Sequence, residues 1–178
     1  MEKVQLKDKE FRKFLAYEKE ILPAIEKVVA QLNQDYKDKN PLFVVVLKGS
    51  FLFAADVIKR FNGACEVSFI KVKSYEGTSS TGAIKELLSI EEEIKDRHVL
   101  FVEDIVDTGN TLEYLINSVK VKNPASLKII TLLFKPEAYK KQMKVDYVGM
   151  EIENKFVVGF GLDYDGLGRN LKDIYVLN

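Results

Sequence analysis

Two adjacent acids, Glu103 and Asp104, stand at the end of an apolar run, and Asp107-Thr108-Gly109-Asn110-Thr111 follows after two more apolar residues. The run from His98 to Val102 reads as a buried strand ending in these acids. The acids are therefore delivered to a strand's C-terminal end, the edge at which ligands bind in open α/β sheets. The next segment opens a helix. Its turn offers free backbone N–H groups, hydroxyls from Thr108 and Thr111, and a glycine that permits close approach, while the helix dipole adds positive potential. That combination suits a phosphate monoester. Carboxylates beside a phosphate repel it unless something hydroxylated or cationic lies between them, and a ribose with two hydroxyls or a Mg²⁺ ion meets that need. Asp-Thr-Gly alone would be an ordinary helix cap. The whole string of strand, paired acids and hydroxyl-rich loop is far more specific.

The elements that must position these groups are legible around them. Leu42 to Leu47 is a continuous apolar run, as in a parallel strand covered on both faces, and Lys48-Gly49-Ser50 is its turn. Phe51 to Arg60 has helical spacing, Cys65 to Ser74 reads as a long strand, and Lys85 to Ile90 as a short strand returning from it. Between them Tyr75 to Ala83 is polar and loop-like. Thr111 to Lys120 reads as a helix. Strands are expected over Leu127 to Phe134, Val145 to Ile152, Phe156 to Phe160 and Ile174 to Leu177. Phe11, Phe14, Leu15, Leu22, Ile25, Val28, Val29 and Leu32 recur at threes and fours, so the first forty residues are expected to be helical, with Pro23 opening a second helix or kinking the first. Strands alternate with helices through the middle. The expected fold class is α/β: an open, mostly parallel sheet flanked by helices, with a small extra subdomain where the late strands lack helices between them.

Composition narrows the function. The chain has 178 residues, enough for one domain with its own core, and 27 basic residues balance 27 acidic ones. A general nucleic-acid binder would be basic overall. A hydrophobic content of 47% with 30% charged residues fits an ordinary soluble protein. Cys65 is the single cysteine, so no intrachain disulfide can form, which points to a reducing compartment. No apolar run is long enough to span a membrane. The first residues, Met-Glu-Lys-Val-Gln-Leu-Lys-Asp, hold no stretch of signal-peptide type, and a cytoplasmic protein is expected. Other catalytic patterns fail. There is no GxxxxGK[ST], Gly159-Phe160-Gly161 lacks the third glycine and the setting of a dinucleotide fingerprint, no nucleophile elbow appears, and one histidine with one cysteine makes no metal-binding spacing. Asp163-Tyr164-Asp165-Gly166 is not a calcium loop, since the remaining ligand positions are missing.

The segment VLFVEDIVDTGNT, Val99 to Thr111, resembles the phosphoribosyl-pyrophosphate (PRPP) signature of type I phosphoribosyltransferases. VVVLKGSFLFAADV, VKSYEGTSSTG, LLFKPEA and VGMEIENKFVVGFGLDYDGLGRNL resemble, in order, motifs of the hypoxanthine-guanine phosphoribosyltransferase family, from about Leu42 to Leu177. The resemblance implies a single domain over 1–178, with a hood subdomain built from N- and C-terminal segments. It implies transfer of a 5-phosphoribosyl group from PRPP to hypoxanthine or guanine, giving IMP or GMP and pyrophosphate, with Mg²⁺ as cofactor, in purine salvage.

By the same resemblance, Glu103 and Asp104 hold the ribose hydroxyls, directly or through Mg²⁺, and Asp107 is the general base for the purine N7 proton. Asp107, Thr108, Gly109, Asn110 and Thr111 bind the 5′-phosphate. Lys48 and Gly49 bind pyrophosphate after a cis peptide between Leu47 and Lys48, and Lys73 and Arg169 supply cationic contacts. Ser74 and Tyr75 begin a loop that closes over the reacting centre. Lys135 donates to the purine O6, Phe156 stacks on the base, Val157 contacts its edge through the backbone, and Asp163 binds a second Mg²⁺. A homodimer or homotetramer without nucleic-acid or membrane partners is implied. Asn110 stands where some relatives have lysine, Ser50 where others have a second glycine, and Gly166-Leu167-Gly168 loosens the segment before Arg169; these bear on fine specificity. Two alternatives stay open. One is a transferase preferring xanthine. The other is a regulator on the same fold that binds nucleic acid.

Overall fold

A strand that is apolar at every position must be covered on both faces, and the architecture is built around such strands. The computed structural model describes residues 2–74 and 84–178. The chain runs β1 (Lys3–Leu6), β2 (Lys9–Leu15), a π-helical turn (Tyr17–Ile21), α1 (Leu22–Tyr36), β3 (Leu42–Leu47), α2 (Phe51–Ile58), β4 (Glu66–Ser74), β5 (Ile84–Leu88), β6 (His98–Val106), α3 (Asn110–Lys120), β7 (Ser126–Phe134), β8 (Tyr147–Glu151), β9 (Val157–Val158) and β10 (Ile174–Leu177). Six strands form the main sheet in the order β5-β4-β3-β6-β7-β8. All neighbours are parallel except the edge pair β4 and β5. Within β3, Phe43 and Val45 join the core on the α1 and α2 face, while Leu42, Val44 and Val46 join the core on the α3 face. The expected α/β class with a mostly parallel sheet is what the structure has.

The strand order fixes where a cleft can open. From β3 the chain crosses through α2 to β4 on one side; after β5 it returns to the other side of β3 as β6, and α3 carries it on to β7. The direction of winding reverses between β3 and β6. At such a switch point the connections diverge and leave a crevice beyond the strand ends. The pairing register shows the gap: β3 and β6 are partnered only from Leu42↔Val99 to Val45↔Val102, whereas β6 and β7 continue to Val106↔Phe134. Glu103 and Asp104 thus lie inside β6, which runs on to Val106 rather than ending at the acids, but they lie beyond the reach of β3.

The N-terminus departs from the helical expectation. Residues 3–15 form a hairpin, and helix begins only at the π-helical turn, with Pro23 in the first turn of α1. The second antiparallel sheet, β1-β2-β10-β9, joins this hairpin to the C-terminal strands. The helix-like spacing of Phe11, Phe14 and Leu15 has a physical reason: both faces of β2 are covered. Phe11 sits in a small core with Val158 and Tyr175, while Phe14 and Leu15 pack against the main core. The turn at Lys7-Asp8 holds Lys7 at φ 51 without a glycine, so no turn signal marked it. The strand expected over Phe156 to Phe160 is only Val157–Val158, and the one expected over Val145 to Ile152 spans Tyr147–Glu151. Among the described residues no helix is long and apolar enough to cross a membrane.

Candidate active site

The cleft at the switch point is lined by Val46 to Gly49, Val72, and Glu103 through Leu112, and encloses ≈ 290 Å³. Its floor is the pair of acids. Glu103 is 7% exposed, and none of the described residues hydrogen-bonds its carboxylate. Asp104 accepts the N–H of Ile105 at 2.7 Å. Burial, with the Asp104 charge beside it, pushes the Glu103 carboxyl well above its usual range. Burial likewise pushes Asp104 up to about 6, against the pull of its backbone N–H bonds and the Arg169 guanidinium.

The turn after β3 packs directly on this floor. A Cβ placed on Gly49 would lie 1.6 Å from an Asp104 carboxylate oxygen, so only glycine lets the two strand ends meet. The peptide bond between Leu47 and Lys48 is cis. The hydroxyl of buried Ser50 donates to the Val46 carbonyl at 2.5 Å and closes the turn that presents Lys48 and Gly49. From the other side Gly161, at φ +99, brings its backbone against the Gly49 carbonyl, where a Cβ would sit 2.0 Å from that oxygen. Arg169 is held there by a 2.6 Å bond to the Gly161 carbonyl and a 2.5 Å ion pair with Asp163, whose other oxygen accepts the Gly166 N–H.

The far wall is the loop into α3. Gly109, at φ 83, is the N-cap, and the Glu113 N–H donates to its carbonyl at 2.9 Å, so the N–H groups preceding Glu113 are left for a ligand. Lys135, only 7% exposed, places its ammonium 2.8 Å from the Asp107 carboxylate. Its own N–H donates to Val106, which fixes the end of β7 against the end of β6. Phe156, 48% exposed, is not part of the cleft lining; Phe11 and Tyr164 stand against it at ring distances of 6.3 and 6.1 Å. Val157 is buried in β9.

The structure thus gathers Lys48, Gly49, Glu103, Asp104 and Asp107 to Thr111 around one cleft, with Lys135 on Asp107. Arg169 and Asp163 are paired with each other at its hood side. Among the described residues no three acidic, histidine or cysteine side chains converge as a complete metal cage, so Asp163 is not drawn into one group with Glu103 and Asp104. Lys73 and Ser74 end β4, paired with Lys85 and Ile84; their side chains and Tyr75 lie outside the described residues, as does the loop to Ala83. Two positioning residues carry no chemical signal in the sequence. Gly161 is one glycine among several, and Ser50 looks like an ordinary helix-capping residue.

The profile of the phosphoribosyl transferase domain family matches residues 15–165. The hypoxanthine-guanine phosphoribosyltransferase of Streptococcus pneumoniae is 46% identical over 171 residues, covering 96% of this chain and 95% of that protein. The chain belongs to the phosphoribosyltransferase family, on its hypoxanthine-guanine branch. Solved structures agree. A Staphylococcus aureus hypoxanthine phosphoribosyltransferase superposes with a TM-score of 0.88 at 39% identity, covering 94% of this chain and 91% of that one. A mutant hypoxanthine phosphoribosyltransferase from Trypanosoma cruzi, captured as a ternary substrates complex, gives 0.86 at 43% identity, covering 94% and 95%.

As a phosphoribosyltransferase the chain keeps buried acids that weaken its fold. An aspartate raised from 3.8 to about 6 is protonated in both states at low pH, and its ionisation opposes folding as pH rises through that window. The Asp104→Asn variant in metal-free buffer is therefore expected to be more stable than wild type at about pH 8, by on the order of 3 kcal/mol. The gain should shrink towards zero below about pH 4, where both forms are neutral. Urea unfolding at the two pH values checks this; a gain independent of pH, or none at the higher pH, contradicts it.

Proposed function

We propose that this chain transfers the 5-phosphoribosyl group of PRPP to a ring nitrogen of hypoxanthine or guanine, releasing pyrophosphate and forming IMP or GMP for purine salvage. The observation that carries the reading is the side-by-side pair of Lys135 and Asp107, 2.8 Å apart. An N7-protonated 6-oxopurine presents on one edge an N–H donor beside a carbonyl acceptor. Asp107 offers the matching acceptor and Lys135 the matching donor. Adenine presents an amino group at position 6, and an ammonium has no lone pair to receive it, so the same pair disfavours adenine. As N7 loses its proton, Asp107 is placed to take it.

The remaining roles follow the cleft from this edge inward. Phe156 would stack on the base and Val157 meet its edge through the backbone. Asp107, Thr108, Gly109, Asn110 and Thr111 would hold the 5′-phosphate at the α3 N-terminus. Glu103 and Asp104 would hold the ribose hydroxyls, and in their ionised form they favour positive charge developing on the ribose as pyrophosphate departs. Lys48 and Gly49 would bind the pyrophosphate, with Arg169 exchanging Asp163 for it. Lys73, Ser74 and Tyr75 belong to the proposed PRPP contacts on the family resemblance alone.

Phosphoribosyl transfer in this family implies Mg²⁺, and the donor set fits it. Oxygen-only ligands are present, the Glu103 carboxylate has no partner of its own among the described residues, and a two-carboxylate site leaves most positions to substrate oxygens. Glu103 and Asp104 would hold one ion and Asp163 a second, and the metal would offset the charge of the leaving pyrophosphate. We read residues 1–178 as one phosphoribosyltransferase domain whose β1-β2-β10-β9 sheet is the hood, working in the cytoplasm as a homodimer or homotetramer.

The test is a panel of hypoxanthine, guanine, xanthine and adenine with PRPP and Mg²⁺, read as nucleotide formed. The wild type is expected to use hypoxanthine and guanine and to leave adenine. Lys135→Ala should narrow the hypoxanthine-to-adenine ratio by at least about tenfold; an unchanged ratio would place the 6-position contact elsewhere. Asp107→Asn should bind PRPP as wild type does and lower kcat by about 10²-fold, the size of a lost general base. A kcat within about twofold of wild type would remove Asp107 from that role.

A further inference from the structure

The loop from Asp107 to Thr111 contains no cationic side chain, and Asp107 adds a negative charge at one end. A phosphate monoester carries nearly two negative charges at neutral pH. A helix N-terminus answers with about half a charge. The loop's N–H groups and hydroxyls answer part of that charge; a cation beside them has to come from a neighbouring element, and Lys135 stands at the Asp107 end of the loop, where the base is proposed to bind.

The element that covers the loop is the segment following β7. The Lys140 N–H reaches the Thr108 carbonyl at 3.5 Å, and a Cβ on Gly109 would lie 2.5 Å from the Tyr139 ring and 2.8 Å from Lys141 Cγ. The stem of Lys141 therefore lies flat against the loop. Its ammonium does not run out to solvent. It pairs with Glu113 at 2.6 Å, in the first turn of the helix whose N-terminus completes the loop, and the side chain is 21% exposed. Tyr139 anchors the segment: its hydroxyl donates to the Met143 carbonyl at 2.7 Å and its ring packs edge-on against Phe134 at 5.3 Å. Neighbouring Lys140 turns the other way, to the Glu137 carbonyl.

We propose that Lys141 is a phosphate-binding residue of this chain, supplying the positive charge that faces the 5′-phosphate of PRPP and of the nucleotide product, with Glu113 holding its ammonium in place. The proposal rests on the reading of 107–111 as the 5′-phosphate loop. In the sequence Lys141 is the second of two adjacent lysines. Only the fold of the segment across Gly109 separates it from the solvent-exposed Lys140.

Ribose 5-phosphate and Mg²⁺-pyrophosphate separate the two ends of the cleft, and their binding can be measured by calorimetry on wild type, Lys141→Met and Lys141→Arg. Lys141→Met is expected to bind ribose 5-phosphate about tenfold more weakly, as for loss of a charge-assisted contact, with pyrophosphate affinity unchanged. Its KM for PRPP should rise while kcat holds. Lys141→Arg should recover most of the loss. Ribose 5-phosphate affinity of Lys141→Met within about twofold of wild type would overturn the proposal, as would equal weakening for both ligands, which would make Lys141 a structural prop. A wild type that turns over hypoxanthine while these results fail overturns the Lys141 proposal and leaves the proposed reaction standing. A wild type inactive on every base overturns the reaction itself.

Discussion

Everything in this site depends on the contact between Gly49 and the Asp104 carboxylate. Two acids on a central strand would ordinarily point into the apolar layers that cover the two faces of the sheet, and their charges would be unsupportable there. Here β3 leaves the sheet after Leu47, and its turn passes so close over β6 that no side chain fits at Gly49. The gap is deep enough to bury Glu103 and to leave Asp104 only partly exposed, and open enough to let a ligand reach them. That desolvation raises both carboxyls above their usual range, so ionising them opposes folding. The same desolvation makes their charge effective against a cationic ribose, because interactions in a water-poor pocket are much stronger than in bulk.

The rest of the fold holds that gap at its width. The apolar faces of β3 feed two cores, so neither strand can shift without unpacking one of them. The small antiparallel sheet closes the site from the other side. In the connection from β9 to β10, Gly161 rests on the Gly49 carbonyl, and Tyr164 stands with Phe11 of β2 behind Phe156. A polar tie binds this sheet to the main body. Tyr17 donates its hydroxyl to Asp56 on α2 and its N–H to Asp173, and Asp56 also pairs with Arg60. Since α2 starts directly after the Lys48-Gly49-Ser50 turn, that tie and the Ser50 hydroxyl fix both ends of the element that bears on the acids.

What could be read from the sequence was whatever has a one-dimensional signature. The apolar runs of β3 and β6 announced buried parallel strands, and the acids with the hydroxyl-rich loop announced a phosphate beside a ribose or a metal. The N-terminal hairpin was hidden because β2 is covered on both faces and so shows helical spacing, and because Lys7 makes its turn without glycine. The extension of β6 past the acids depends on β7 staying paired where β3 does not, a difference between neighbours that no single segment encodes. Ser50, Gly161 and Lys141 act through close approaches between distant segments, and their residue types are common in ordinary turns and surfaces.

The most direct test of this account is the activity of Gly49→Ala measured beside its stability. The added methyl must displace the Asp104 carboxylate or lift the turn from the sheet. The account predicts a folded protein whose kcat/KM for PRPP falls by at least about 10²-fold, as expected when reacting groups move by about an ångström. A folded Gly49→Ala protein with activity within about threefold of wild type would show that the contact is incidental and that the acids are positioned by something else.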